Sequence, residues 1–557
     1  MYLNRAVATH PGLTAIYCQH EQACAAAAEG YAKARNFTAP GLAVVTSGPG
    51  VTNTITSLCS AYGDSTPVVV LAGQIKTSDI DTLGLRTHGA QEVRSLELVA
   101  PCVKRAVRLS EDKALSQLIE TLAEAFCGRP GPVFIEIPLD VQNRSHSFGP
   151  DEIERAAEQV FAKVAADVSS ADIDALSSAI TWLSEGERPA IYAGAGCRIA
   201  GVGEALLRLI DQTQWPVLNS WLTADLLPQS HPSVFDAPGG LAPVWSNQIL
   251  SAADRILFLG ARLDLGTTAF QRDGFGAQAD RIIVDVDPVE LEKFAGLERV
   301  ETRRANLKGL NAAIGRHEQR RATASQSAWA NWCHTVKIRE AKVEDDRLAG
   351  ETLTVRRLAQ YLARMTTTKV FVPTSSGSGS ETFFRFFRPP TGSRSFCGAS
   401  LGAMGMGLPQ GLGAAFAGQG RVVCIEGDGG LMLNVQELAT LSHYAPPGFV
   451  LFILNNDGYL SIRASQKRHF DSLGGADAGS GVFIPRFRKL ADAFDLNYKS
   501  ASTLDELERL LPELSPDAPP VIVELFLDSP EPRGASVATV IDADGTIRST
   551  PISDLRW

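Results

Sequence analysis

No run approaching about 18 consecutive apolar residues occurs in this chain, so no membrane-spanning helix is expected. The first residues, MYLNRAVATHPGL, lack the long apolar core of a secretion signal. No two cysteines have the CxxC spacing. The nine thiols (Cys18, Cys24, Cys59, Cys102, Cys127, Cys197, Cys333, Cys397 and Cys424) are scattered, several of them inside apolar runs. Such usage fits buried free thiols in a reducing compartment, and the expected location is cytoplasmic. A basic excess is also missing, since 52 Lys and Arg stand against 62 Asp and Glu, a net charge of −10. That disfavours a nucleic-acid surface, and an anionic small molecule must then be met by local positive charge or by metal. There is no short-period repeat.

What is present is a chain of 557 residues, 45% apolar and 20% charged, too long for one hydrophobic core. Short apolar runs alternate with helical stretches in three successive blocks. The first block has LTAIYC (13–18), GLAVVTS (41–47), PVVVLAG (67–73) and PVFIEIP (132–138), with the helical EQACAAAAEGYAKA (21–34) between. The second has PAIYAGAG (189–196), PVLNSW (216–221), RILFLGARLD (255–264) and RIIVDVDP (281–288). The third has KVFVPTSS (369–376), RVVCIEGDGG (421–430), FVLFILNND (449–457) and PVIVELFLD (520–528). The runs are continuously apolar, so the sheets are expected to be parallel and covered on both faces. The predicted architecture is three doubly wound α/β domains at 1–147, 175–315 and 350–535, with a C-terminal tail at 536–557. The polar stretches 148–174 and 316–332 read as linkers, the first containing a helix.

Within the third block, Gly427-Asp428-Gly429-Gly430 and Asn456-Asp457-Gly458 stand at the ends of successive apolar strands. In a parallel βαβ unit both ends open on the same sheet edge, where ligands bind. Asp428, the Asn456 amide oxygen and the Gly458 carbonyl make a set of hard oxygen ligands suited to Mg²⁺. The glycines flanking Asp428 allow backbone amides to approach a diphosphate. Either half alone also reads as an ordinary tight turn.

The order of motifs along the chain carries a resemblance. HEQACAAAAEGYAKA, TSGPGVTN (46–53), AYGDSTPVVVLAGQ (61–74), GAQE (89–92) and GRPGPVFIEIP (128–138) look like the pyrimidine-binding domain of the acetolactate synthase family of thiamine-diphosphate (ThDP) enzymes. GASLGAMGMGLPQGLGAA (398–415), ahead of the Asp428 motif, resembles that family's diphosphate-binding domain, and the GAG and GARLD of the middle block resemble its central domain. The family has a longer stretch before the glutamate that Glu21 matches. Either the start lies further upstream, or the chain lacks a first βα unit, a loss that would bare apolar surface.

The resemblance implies roles. Glu21 matches the glutamate that controls protonation of the cofactor, and Gln91 matches a glutamine that points at bound intermediates. A first-turn glutamate that stabilises a helix N-terminus is the plainer reading of Glu21. Ser47, Gly48, Pro49, Gly50 and Asn53 match the loop beside the pyrimidine ring, and also read as a capped strand-to-helix turn. Met404 matches the bulky residue under the thiazolium, with a core methionine as the alternative. Gly427, Gly429 and Gly430 are expected to meet the diphosphate, with Ser378, Gly379 and Ser380 as weaker candidates. Asp428, Asn456 and Gly458 are the expected metal ligands. Gly194, Gly196, Gly260 and Arg262 resemble an FAD site, so FAD is a candidate second cofactor beside ThDP and Mg²⁺. His88 and Lys104 are candidates with surface roles as the alternative.

The cofactor supplies an electron sink for 2-oxo acid decarboxylation, and the protein supplies binding and proton control. The implied reaction joins a two-carbon unit from pyruvate to a second carbonyl, a 2-oxo acid or a keto-sugar. The stretch Tyr459 to Gln466 lacks the tryptophan of acetolactate synthases and is polar. With the tail DGTIRSTPISDL (544–555) it looks closer to carboligases of sugar pathways, where Arg463 would meet phosphate or sugar oxygens or simply lie at the surface. A ThDP lyase or hydrolase on another substrate such as a cyclic dione, and a catalytically poor paralogue acting as a structural or regulatory partner, are the alternatives. Glu21 and Asp428 lie in different domains, and the family shares each active site between subunits. A homodimer or homotetramer is therefore implied, with no nucleic acid or membrane partner.

Overall fold

The computed structural model describes residues 2–556 apart from 112, 145–148, 166, 318, 351, 419, 528–533, 542–543 and 546. The chain forms two compact units. One holds residues up to 167 with 367–380 and 396–529, and the other holds 168–366, 381–395 and 530–557. Among the described residues no helix is long and apolar enough to cross a membrane.

The first unit contains two parallel sheets. One has strands Gly41–Val45, Val68–Gln74, Val133–Pro138 and Arg105–Arg108, side by side in that order. In the other, Val370–Val372, Val422–Gly427, Val450–Asn455, Val521–Phe526 and Asn497–Ala501 run in that order. The predicted strand at 13–18 is irregular chain, with Leu13 and Tyr17 about half exposed (48% and 55%) and no strand partner. Strands Arg105–Arg108 and Asn497–Ala501 carry no continuous apolar run. Both are partly buried edge strands, so their pattern is weak.

Alanine, the best helix former, dominates helix Glu21–Ala34, and His20 caps it by accepting the Gln22 amide at 3.1 Å. The helix lies against Gly407–Phe416 with backbones nearly touching. A Cβ on Gly30 would come within 2.1 Å of the Gln410 carbonyl, and one on Gly413 within 1.8 Å of the Ala27 carbonyl. Only glycine permits this approach. At the same seam Lys33 Nζ sits 2.7 Å from both Glu29 Oε1 and Asp64 Oδ2, and 2.7 Å from the Cys397 carbonyl. All three charged groups are essentially inaccessible. Gln410 donates to Glu29 at 3.0 Å, and Asp64 accepts the amides of Ala399 and Ser400 at 3.0 and 2.9 Å. Burial alone would drive protons off Lys33, yet the two carboxylates hold its pKa well above the ordinary value.

The second unit is built on a parallel sheet ordered Val300–Arg304, Asp280–Asp285, Arg255–Leu259, Pro189–Ala193, Val217–Asn219, Val234–Phe235. The stretch 316–332, predicted as a linker, leads into helix Ala324–Arg347, started by a Thr323–Gln326 capping box. Trp329, Cys333 and Val336 bury one side of that helix. The C-terminal tail docks on this unit, with Asn247 donating to the Ile552 carbonyl at 2.9 Å and Ile552 buried.

Replacing Lys33 with Met leaves Glu29 and Asp64 buried without their cation. The expected loss is about 3–5 kcal/mol of unfolding free energy, read by chemical denaturation. A loss below about 1 kcal/mol would show that the triad does not hold the seam.

Candidate active site

Strands Val422–Gly427 and Val450–Asn455 are neighbours in parallel register, with Gly427 opposite Leu454, so both ends open on one edge. Asp428 begins the short helix Asp428–Leu431 and is buried. Its Oδ2 accepts the amides of Asn456 and Gly458 at 3.0 and 2.9 Å, and its Oδ1 accepts the Gly429 amide at 2.7 Å. One carboxylate thus clasps the loop at the end of the next strand. Burial pushes the Asp428 carboxyl above the usual range, against the pull of these amides. Asn456 Oδ1 is buried and meets no hydrogen-bond donor. An orphaned oxygen beside a buried carboxylate fits a hard divalent cation such as Mg²⁺. Among the described residues no group of three or more His, Cys, Asp or Glu could hold a metal, so a site here must use amide and carbonyl oxygens with a single carboxylate.

Close approach dictates the glycines around this clasp. At Gly458, φ is +115° and a Cβ would lie 2.6 Å from the Ala476 carbonyl. A Cβ on Gly429 would strike the Tyr459 ring at 2.4 Å. Gly430 faces Glu426, and its carbonyl lies against Gly405, beside Met404. Asn434 pins that turn by donating to the Gly405 carbonyl at 2.8 Å. Met404 is half-buried, whereas Met406 is the buried methionine and receives Gln22 Nε2 at 3.8 Å. The Ser378 amide donates to Ser461 Oγ at 3.1 Å, Ser380 Oγ caps the Gly377 carbonyl at 2.9 Å, and Gly379 lies against Leu454. Residues 378–380 therefore stand next to the end of strand Val450–Asn455 and the loop that follows it.

Arg463 is not a surface arginine. Its guanidinium donates to the carbonyls of Asn456 and Asp457 at 2.7 and 3.0 Å, and Asp477 lies 3.6 Å away. It braces the loop that Asp428 clasps. Ser461 and Gln466 are also spent internally, Gln466 donating to the Gly474 carbonyl at 2.9 Å.

At the other motif, Asn53 Nδ2 donates to Glu21 Oε2 at 3.0 Å, joining the first turn of helix Glu21–Ala34 to the Ser47-Gly48-Pro49-Gly50 loop. Gly48 has φ +64°, and a Cβ there would lie 2.6 Å from the Gln91 carbonyl. The Gln91 backbone thus crosses directly over Gly48. Glu21 is thus a first-turn glutamate whose carboxylate also meets the turn predicted beside it. His88 is exposed. Lys104 ties the carbonyls of Glu124 and Cys127, each at 2.6 Å, which is a structural role.

In the second unit, Gly194, Gly196 and Gly260 stand where the strand order reverses. A Cβ on Gly194 would be 2.2 Å from the Gly260 carbonyl, and one on Gly196 2.7 Å from Gly260 Cα. The packing of one loop on the other explains these glycines without a cofactor. Arg262 is half-buried and 2.9 Å from Asp264.

Two buried carboxyls beside these motifs also escaped the sequence reading. Glu426, inside strand Val422–Gly427, accepts the Gly407 amide at 2.5 Å, and burial raises its pKa to about 7. Glu437 accepts the amides of Gln19 and His20 at 3.1 and 3.0 Å, setting the chain just before Glu21. For Glu426 the available signal was an acidic residue within an otherwise apolar strand, and for Glu437, at the start of helix Glu437–Tyr444, there was none.

Three family models match in order. They are the N-terminal TPP binding domain, the central domain and the C-terminal TPP binding domain of thiamine pyrophosphate enzymes, at residues 1–98, 176–300 and 376–525. Similar proteins include a probable acetolactate synthase large subunit of Methanococcus aeolicus, 28% identical over 96% of this chain and 90% of its own length. The acetolactate synthase isozyme 2 large subunit of Escherichia coli K12 is 28% identical over 95% of this chain and 93% of its own. A probable chloroplastic acetolactate synthase 2 of rice is 29% identical over 98% and 83%.

Removing the Arg463 brace with Ala is expected to raise the Mg²⁺ concentration needed for cofactor binding by about ten- to a hundredfold. Arg463→Lys should not restore it, because a single ammonium lacks the fork that reaches two carbonyls. An unchanged Mg²⁺ requirement in a ThDP titration would refute the brace. With all three domains matched in order and acetolactate synthases aligned along nearly the whole length, the chain belongs to the thiamine-diphosphate-dependent enzymes, of the acetolactate-synthase-like carboligase type.

Proposed function

We propose that this enzyme uses ThDP with Mg²⁺ to take a two-carbon unit from pyruvate and join it to a second carbonyl compound. The observation that carries the reading is the orphaned Asn456 Oδ1 beside the Asp428 clasp. Asp428, Asn456 and the Gly458 carbonyl would hold the metal, and the amides of Gly429 and Gly430 would meet the diphosphate. Bound ThDP supplies the electron sink for decarboxylation. Glu21, oriented by Asn53, would hold or move a proton at the aminopyrimidine. Gln91, brought over Gly48, would face the reacting groups. Met404 would support the bent cofactor.

The acceptor favoured here is a small 2-oxo acid. The polar residues that suggested a sugar acceptor, Ser461, Arg463 and Gln466, are occupied in bracing the loops around the metal motif. FAD rests on Arg262 and on glycines that loop packing already explains. Yellow colour in the purified protein decides that point.

Release of CO₂ from pyruvate with ThDP and Mg²⁺, with product analysis over a panel of acceptors, tests the reaction. Absence of both cofactor binding and CO₂ release would end it. Glu21→Gln is expected to lower turnover at least a hundredfold while ThDP still binds, and full activity in that variant would remove the role of the glutamate. We further infer a homodimer with sites shared between subunits. Glu21→Gln and Asp428→Asn chains, each inactive alone, should then regain activity when co-assembled, and failure in demonstrated mixed dimers would refute sharing.

A further inference from the structure

The second unit carries a cleft of about 800 Å³, walled by helices Ala324–Arg347 and Val355–Leu362 and by the chain around Phe386 and Arg388. None of the residues assigned above lines it. Five cations do: Lys337, Arg356, Arg357, Arg364 and Arg388. The carboxylates in its wall are already committed. Glu344 takes the buried Arg385 at 3.0 Å, and Asp345 pairs with Arg356. Arg388 is held by Asp236 at 2.6 Å.

Lys337, Arg357 and Arg364 have no carboxylate partner among the described residues. Lys337 Nζ reaches the Val234 carbonyl at 3.2 Å and lies 5.4 Å over the Phe235 ring. The outer nitrogens of Arg357 make only long contacts, 3.4 Å to Gln360 and 3.3 Å to the Gly350 carbonyl, and its buried Nε meets nothing. Arg364 lies 5.3 Å over Tyr361. Burial and the nearby Arg388 both weaken proton binding by Lys337, with Asp236 opposing. Cations that converge on one cleft without ion pairs of their own repel each other, and a bound anion relieves that cost.

The cleft falls in the usual size range for sites of organic ligands and is far larger than a bare phosphate requires. Trp245, Ala341, Ala363 and Phe386 give the wall an apolar part. Guanidinium forks match phosphate oxygens. We propose that this cleft binds a nucleoside di- or triphosphate, its phosphates on Lys337, Arg357 and Arg364 and its organic body along the apolar wall.

The test uses the full chain with saturating ThDP and Mg²⁺, which keeps other diphosphates out of the Asp428 site. ADP is the probe, measured by equilibrium dialysis, with inorganic pyrophosphate as competitor. One saturable site is expected, weakened at least about tenfold by the double variant Arg357→Gln/Arg364→Gln, with pyrophosphate competing at least about tenfold more weakly than unlabelled ADP. Both side chains make only weak internal contacts, so the double variant should melt as the parent does and keep its basal turnover of pyruvate. No ADP binding, binding undiminished in the double variant, or pyrophosphate competing as well as ADP would each overturn the proposal.

Discussion

The buried triad Glu29–Lys33–Asp64 is the interaction on which the first unit depends. It lies at the seam where the Glu21–Ala34 helix meets the Gly407–Phe416 helix, shielded from bulk solvent. Glu29 and Lys33 stand on the first of these helices, and the cluster reaches the third block through the Cys397 carbonyl, the Ala399 and Ser400 amides and the Gln410 side chain, so its geometry ties the two blocks together. Glycines at 30 and 413 bring the backbones close enough for that geometry. The same helix carries Glu21 at its first turn, and the Gly407 helix follows the Met404 turn. The seam therefore sets the helix that begins at Glu21 against the part of the third block that carries Met404.

A second constraint acts at the strand ends. Asp428 gives its oxygens to the amides of three residues, and Arg463 takes the carbonyls of Asn456 and Asp457. The loop is thus held from both sides, by an acceptor for its donors and a donor for its acceptors. What remains unsatisfied is the Asn456 side-chain oxygen, which is the group a metal would use. A loop held in this way is arranged in advance, and little reorganisation would be left for a cation to bind there.

The polar stretch 459–466 changes meaning in this light. Read along the chain, its serine, arginine and glutamine suggest a surface prepared for a polar substrate. In the fold Arg463 is buried under the loop after strand Val450–Asn455, and Ser461 and Gln466 bond to neighbouring backbone. The residues that could meet a phosphorylated ligand lie instead in the second unit, where Lys337, Arg357 and Arg364 line one cleft and make no ion pair among the described residues.

The sequence by itself determined the cofactor class and the three parallel sheets. Continuous apolar strands and ordered glycine motifs are local properties, written in adjacent residues. It also pointed to Glu21, Asp428 and Asn456, because their neighbours carry the pattern. It misread residues 13–18 and passed over the edge strands Arg105–Arg108 and Asn497–Ala501, since a pairing partner, not composition, makes an edge strand. Only the tertiary structure decided that Lys33 is buried between carboxylates, that Glu426 and Glu437 are interior, and that Arg463 faces inward. Each of these depends on groups remote in sequence being brought within hydrogen-bond distance, and no local pattern encodes which distant residue will stand opposite a charge.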